Sequence, residues 1–321
     1  MNNKIDIKEN YIYKLDSKLM SILLKDNSSG KNIIWATDNY IVHGHGFQST
    51  DQIAVMQVTG HNGNIIKPRV AKSQKEQTIR IREKAEVFTP SSICNKQNNL
   101  VDNAWFGYEN IFNKETKNGW QSIKRRVKFS EKSPKNWQDY IKTTRIEIAC
   151  GEAPYLVSRY DTVSGNIISV GDRIGLLDRK LRIVSENTKT EKDWLKWATI
   201  AFKSIYGYDW QGDNVLLARE NLLLTFVDYY ENKFNVFPCL DYLIEIATII
   251  SWNIWQMDGL KFVIPESCTG KKIVTEDFFT PTIEYIKCQG CQENDIHQHS
   301  GIYCKIMDWE TRKTIRFIDL I

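Results

Sequence analysis

From Arg145 onward the chain alternates short apolar runs with longer amphipathic stretches. That is the rhythm of βαβ units, and it limits the fold to a parallel sheet with helices packed upon it. Ile146 to Ala149 is an apolar run ending at Gly151, a strand entering a turn. Trp194, Trp197, Ala198, Ala201, Phe202 and Ile205 recur at helical spacing behind Thr190 and Asp193, a pair spaced as in a capping box. A second strand is expected at Ile205 to Asp209. Asp213 is placed to cap a helix through Val215, Leu216, Ala218, Leu222, Leu223 and Phe226; Leu243, Ile246, Ala247 and Ile250 mark another, and a strand ends near Asp258. Ile302 to Met307 and Ile315 to Leu320 are two further strand candidates. The expected class is α/β.

Upstream the punctuation is different. Asn32 to Ala36, Tyr40 to Val42 and Gln52 to Val58 are β-branched runs separated by Gly, Asn and Ser, which predicts a small strand-rich part over residues 1–75 ahead of an α/β domain over 76–321. His43 and His45 fall in a glycine-rich stretch that reads as a surface turn rather than a metal site. Length permits this division, since 321 residues make one large domain or two smaller ones.

A mean hydropathy of −0.42 and the lack of any uncharged apolar run near the ~18 residues of a bilayer span argue against a membrane protein. The first residues carry no apolar signal core, so a soluble cytoplasmic protein is expected. Seven widely spaced cysteines do not suit a secreted disulfide scaffold and point to reduced thiols or a metal.

A net charge of +4 permits a polyanionic partner without requiring one. Positive charge concentrates in two runs, Lys67 to Lys84 and Lys124 to Lys135, each suited either to a phosphate backbone or to a solvated surface.

The most informative segment is EIACGEAPYL, Glu147 to Leu156. A small-residue turn at the C-terminal end of a strand lets a ligand approach the backbone, and such crevices are the ligand sites of open α/β sheets. Asp209 places a carboxylate at the tip of the neighbouring strand, where it suits the hydroxyls of a ribose, and Asp258 occupies the same level one strand on, suited to an adenine amino group.

At these residues the chain resembles the adenine-specific amino-methyltransferases of DNA restriction-modification systems, the M-type subunits that use S-adenosylmethionine. Glu147, Ala149, Cys150, Gly151, Tyr155 and Leu156 fall on the family's first motif, with Ala153 where a second glycine is usual. Ser204 to Leu223 is similar to the second motif, with Asp209 and Trp210 at the ribose side and Ala218, Arg219, Asn221 and Leu222 on the following helix. Trp255 to Leu260 is similar to the third, with Asp258 as its acid, and Phe88, Thr89 and Pro90 match the Phe-Thr-Pro segment lining the cofactor pocket. The resemblance spans Glu86 to Leu260 and implies a Rossmann-like cofactor-binding sheet.

Two departures bear on mechanism. Asp172 to Arg182 is a basic amphipathic insertion between the first two motifs, suited to facing DNA or to sealing a sheet edge. The family's catalytic Asn, Asp or Ser followed by Pro-Pro and an aromatic has no counterpart, since no Pro-Pro pair exists in the chain. Asp308 and Trp309 are the nearest acid-aromatic substitute, and Phe317 to Ile321 reads as a fourth strand.

Cys288, Cys291, His297, His299 and Cys304 lie within seventeen residues. Thiolates and imidazoles at such spacing suit tetrahedral zinc, four of the five serving as ligands. A structural clip in the loop 288–304 is expected.

The resemblance thus implies a methyltransferase-like subunit of a restriction-modification or phage-defence system. It would bind S-adenosylmethionine and DNA, with a second subunit as a further partner, and transfer methyl to an exocyclic amino group, adenine favoured. The other reading is a non-catalytic nucleic-acid-binding or assembly module that keeps the same sheet.

Overall fold

A computed structural model describes residues 9–84, 89–117, 119–129, 135–276 and 281–321. The chain is a mixed α/β protein. Its elements run α1 (Glu9–Leu15), α2 (Ser17–Leu24), α3 (Val55–Val58), α4 (Gln74–Lys84), α5 (Ser91–Phe106), β1 (Asn113–Thr116), β2 (Gly119–Ser122), α6 (Trp137–Lys142) and β3 (Arg145–Ile148). They continue α7 (Leu176–Asn187), α8 (Glu191–Lys203), β4 (Ile205–Asp209), α9 (Gly212–Phe234), α10 (Leu240–Asn253), β5 (Ile254–Gln256), β6 (Lys271–Glu276), β7 (Pro281–Ile286), α11 (Gln289–Glu293), β8 (Lys305–Asp308) and β9 (Lys313–Arg316).

The centre is a three-stranded parallel sheet in the order β3-β4-β5. Arg145 faces Ile205 and Ile148 faces Tyr208 in one ladder; Gly207 faces Ile254 and Asp209 faces Gln256 in the other. Parallel strands need long crossovers, and the chain supplies α7 with α8 between β3 and β4, and α9 with α10 between β4 and β5. The periodicity around Trp194 becomes α8, with Thr190 Oγ1 accepting from the Asp193 N–H at 3.1 Å as its cap. The helix α9 is buried along most of its length, which suits its apolar residues on every face, and it ends on Asn235 in the left-handed conformation.

Buried cations knit the layers. Arg219 donates to the carbonyls of Leu23, Lys25, Ser251 and Ile254, so this arginine of α9 holds the N-terminal helices against β5. Within the basic insertion, Arg179 and Lys180 are about 1% exposed. Arg179 meets Asp102 at 2.6 Å, and Lys180 donates to the Ile141 carbonyl at 2.9 Å. Residues 176–182 of this stretch form the first part of α7, which packs against α6, α8 and α9 with Arg179 and Lys180 turned into the protein.

Three expectations are corrected. The described part of residues 1–75 has no strand: Lys25 with Asn32 and Ile34 with Gln52 form isolated bridges, Ile41 to His43 is a single 3-10 turn and Val55 to Val58 is helical. The β-branched runs satisfy their backbone groups one bond at a time, with Trp35 N–H on the Asp51 carbonyl and Ile53 N–H on that of Ile33, so no ladder propagates. The two C-terminal candidates pair with each other as the antiparallel hairpin β8-β9, and Phe317–Leu320 is a 3-10 turn, so neither extends the parallel sheet. Asp213 lies inside the first turn of α9 instead of capping it; its carboxylate faces Arg80 at 2.8 Å and accepts from Tyr40 Oη at 2.6 Å. Among the described residues no helix is long and apolar enough to cross a membrane.

Candidate functional site

At the C-terminal ends of β3 and β4 the chain makes two turns that face one another. After Ile148 the backbone passes through Ala149, Gly151 and Ala153, all with positive φ (49°, 52° and 63°). Glycine reaches this region without steric cost, whereas an alanine there costs about 1–2 kcal/mol. Ala153 adopts the same left-handed conformation, and its methyl is fully buried.

Two carboxylates shape this turn. Glu147 accepts from the backbone N–H groups of Tyr155 (3.3 Å) and Leu156 (3.2 Å), folding the segment back over the strand. Asp209 accepts from Gly151 N–H at 2.9 Å, Gln211 N–H at 3.0 Å and Asn214 Nδ2 at 3.3 Å, joining the β3 turn to the start of α9. Burial pushes the Asp209 carboxyl up to about 6, against the pull of these donors. Glu147 is raised well above the usual carboxylate range, by burial first and then by its neighbour Asp209. Burial, with both carboxylates beside it, also raises the Cys150 thiol, so this cysteine is a packed neutral group rather than a nucleophile.

Between these turns and α5 lies a cavity of about 540 Å³, within the range of roughly 300–1,000 Å³ of small-molecule sites. Of the residues expected to bind a cofactor, Thr89, Glu147, Ala149, Cys150, Gly151, Tyr155, Asp209 and Trp210 line it. Pro90 and Asp258 do not. Pro90 precedes the first turn of α5, and the Asp258 carboxylate accepts from the N–H groups of Leu260 and Lys261, closing its own turn beyond β5. Phe88 lies outside the described residues. Sequence reasoning missed Gln97, Asn98 and Val101 of α5, and also Pro154, Leu176, Gln211 and Asn214. The α5 residues carry no motif, and only the fold brings that helix to the sheet. The Asn214 Oδ1 is buried and has no hydrogen-bond partner, although its Nδ2 is held by Asp209.

Asp308 and Trp309 do not line this cavity. Asp308 accepts from the N–H groups of Glu310 and Thr311 and from the Thr311 hydroxyl, which closes the β8-β9 turn. The Trp309 indole donates to Asn253 Oδ1 at 2.9 Å.

The cysteine and histidine cluster differs from the expected set. Cys268, Cys288, Cys291 and His299 bring their ligand atoms within 4.8 Å of one another, a group with the composition of a metal site. His297 and Cys304 do not belong to it. His297 is exposed, and Cys304 is buried among Tyr208, Trp255, Met257 and Ile306, its thiol on the Gln256 carbonyl at 3.3 Å. Cys268 escaped sequence reasoning because the β6-β7 hairpin separates it by twenty positions from Cys288.

The basic runs divide by burial. Lys72 and Arg80 face inward beside Asp213, whereas Lys67, Lys75, Arg82, Arg125 and Lys128 are exposed. No family model matches the chain, and neither the curated proteins nor the solved structures yield a match.

Proposed function

We propose that this protein binds S-adenosylmethionine across the ends of β3 and β4 and acts as a methyltransferase-like subunit on DNA in a restriction-modification or phage-defence system. The observation that carries the reading is convergence. Thr89, Glu147 to Gly151, Tyr155, Asp209 and Trp210 come from three separate stretches of sequence and line one cavity of about 540 Å³. The unpartnered Asn214 Oδ1 beside Asp209 is an acceptor suited to a ligand hydroxyl. Donor and acceptor inventory supports the same fit: three protein donors reach Asp209, which leaves capacity on a carboxylate that has about four acceptor positions.

In this reading Asp209 and Asn214 hold the ribose, the Ala149 to Gly151 turn gives the close backbone approach, and Tyr155 and Trp210 supply the apolar walls. The Rossmann-like character of the sheet belongs to the proposal, as does adenine as the methylated base. The cofactor supplies the activated methyl group and its own leaving group. What this chain supplies is position and exclusion of water. A structural zinc at the Cys268, Cys288, Cys291 and His299 cluster accompanies the reading without taking part in methyl transfer.

A second reading is favoured by a specific observation: Asp308 is engaged in its own turn, and the chain carries no Pro-Pro motif. In that reading the chain binds the cofactor or nucleic acid as an assembly module, and a second subunit contributes the base-side acceptor. Calorimetric titration with S-adenosylmethionine, paired with tritiated methyl incorporation into unmethylated DNA, separates the two. Binding with incorporation supports the enzyme, binding without it supports the module, and absence of binding to the wild type rejects the cofactor site in both.

A further inference from the structure

We infer that Cys268, Cys288, Cys291 and His299 form a closed tetrahedral zinc site that clamps the base of the β6-β7 hairpin. This deepens the zinc part of the functional reading and is independent of its cofactor part.

The geometry is that of a coordination sphere. The His299 Nδ1 lies 3.7 Å from Cys268 Sγ, 3.6 Å from Cys288 Sγ and 3.6 Å from Cys291 Sγ. With Zn–S near 2.3 Å and Zn–N near 2.0–2.1 Å, a tetrahedral arrangement places each sulfur about 3.6 Å from the nitrogen. Three nearly equal distances at that value are not what a chance meeting of thiols around an imidazole gives. Three sulfurs and one nitrogen make a soft donor set that selects zinc over magnesium or calcium. All four positions are filled by protein, so the site is structural and leaves no open place for a water or substrate.

The surroundings are built for the ligands. The N–H of Ser300 donates to Cys288 Sγ at 3.1 Å, which stabilises a thiolate. The backbone N–H of His299 donates to Tyr303 Oη at 2.9 Å, and that hydroxyl donates to the Ile296 carbonyl at 2.8 Å, fixing the turn that presents the imidazole. Gly290, inside the Cys288 to Cys291 pair, has no room for a side chain: an added Cβ would stand 2.6 Å from His299 N and 2.7 Å from the Asp295 carbonyl oxygen. Gly301 is similarly pressed, 2.9 Å from Cys268 Sγ.

Position in the chain gives the role. Cys268 lies three residues before β6 and Cys288 two residues after β7, strands paired antiparallel from Lys271 with Ile286 to Glu276 with Pro281. An isolated two-stranded hairpin is marginal in water, so tying its two ends to one ion removes most of its freedom to open. On the other side of the ligands, Ile264 N–H donates to the Ile302 carbonyl and Val263 bridges both Tyr303 and Asp258, so the clamp is continuous with the end of β5.

The test uses the full chain. Metal analysis of purified wild type is expected to give about one zinc per chain. Replacement by Co²⁺ is expected to give the intense visible d–d bands of a tetrahedral ion and thiolate charge-transfer absorption of three sulfurs. Cys268→Ser should lower bound zinc to near zero or weaken binding by at least about 100-fold, while Cys304→Ser and His297→Gln should keep full stoichiometry. If Cys268→Ser does not fold, the Co²⁺ spectrum of the wild type still decides the ligand set. Hydrogen exchange across 271–286 should speed by at least about tenfold after chelation, and titration with S-adenosylmethionine should be retained, which separates this site from the cofactor pocket. Absence of zinc, an octahedral Co²⁺ spectrum, metal loss on changing His297 or Cys304, or unchanged exchange in the hairpin after chelation would overturn the inference.

Discussion

The backbone N–H of Gly151 donates to Asp209 Oδ2 over 2.9 Å, which ties the turn after β3 to the tip of β4. One carboxylate therefore organises both walls of the cavity before any ligand arrives. Asp209→Ala removes the acceptor for Gly151, Gln211 and Asn214 together. Each buried donor left without a partner costs about 1–3 kcal/mol. The expected result is a loss of roughly 3 kcal/mol in denaturant unfolding and of at least about 100-fold in S-adenosylmethionine affinity by calorimetry. A variant with unchanged affinity would contradict the role given to Asp209.

The protonation of Asp209 gives a second expectation. Burial lifts its carboxyl from the usual 3.8 to about 6. A raised acid binds its proton more tightly when folded, so its contribution favours the folded state at low pH and is lost as pH rises from about 4 through 6, by up to roughly 3 kcal/mol. Ligand binding runs the other way. Ribose hydroxyls donate to the charged carboxylate, so affinity for S-adenosylmethionine should fall by about tenfold for each pH unit below 6. Calorimetry between pH 5 and 8 on wild type and Asp209→Asn checks both signs, since the asparagine abolishes the titration. A flat affinity profile in the wild type would refute the assignment.

Ala149 holds φ at 49° with its side chain exposed, so its methyl contributes strain and little packing. Ala149→Gly is expected to stabilise the protein by about 0.4–1 kcal/mol, the relief of left-handed strain outweighing the added freedom of the unfolded chain. Ala153 is the contrast. It has the same strain at 63°, but its methyl is fully buried, and a buried methylene is worth about 0.8 kcal/mol, so Ala153→Gly should be near neutral. Thermal melts of the two variants test the pair; equal shifts would show that burial does not set the difference.

The parallel strands were legible because each is short, apolar and closed by a turn or an acid; Ile205 to Asp209 is β4 residue for residue. The N-terminal runs were not, because β-branched composition predicts extended backbone but cannot show whether a partner strand lies alongside. Ile33 and Trp35 are buried, and their backbone bonds are scattered over separate places, the end of α2 at Leu24, the start of α9 at Gly212, and Asp51 and Ile53 in the segment between. Glu147, Gly151 and Asp209 were legible as site residues since strand ends announce themselves locally. Asn98 and Asn214 depend on which face of a helix turns toward the sheet. Cys304 illustrates the opposite error: it is close in sequence to the other thiols but is drawn into the apolar cluster around Trp255.

Asp213, four residues after Asp209, behaves in the opposite sense. Burial alone would raise its carboxyl, but Arg80 at 2.8 Å, Lys72 at 3.8 Å and the Tyr40 hydroxyl hold it below the ordinary value. A depressed acid stabilises the fold above its unfolded value near 3.8, and that contribution is lost as pH falls below it. Asp213→Ala leaves two cations facing a site without its carboxylate and is expected to cost about 3–5 kcal/mol. Arg80→Ala should cost a comparable amount, since it exposes the buried carboxylate to the same loss. The basic run Lys67 to Lys84 thereby separates into two functions: Lys72 and Arg80 maintain the fold, and any phosphate contact falls to the exposed Lys67, Lys75 and Arg82. Reversing the charge of those three should weaken DNA retention and flatten its salt dependence without lowering the unfolding midpoint, as measured by filter binding over a salt series beside urea melts. Retention unchanged by the triple reversal would remove this run from the DNA surface and point instead to the exposed cations of the second run, Arg125 and Lys128 among them.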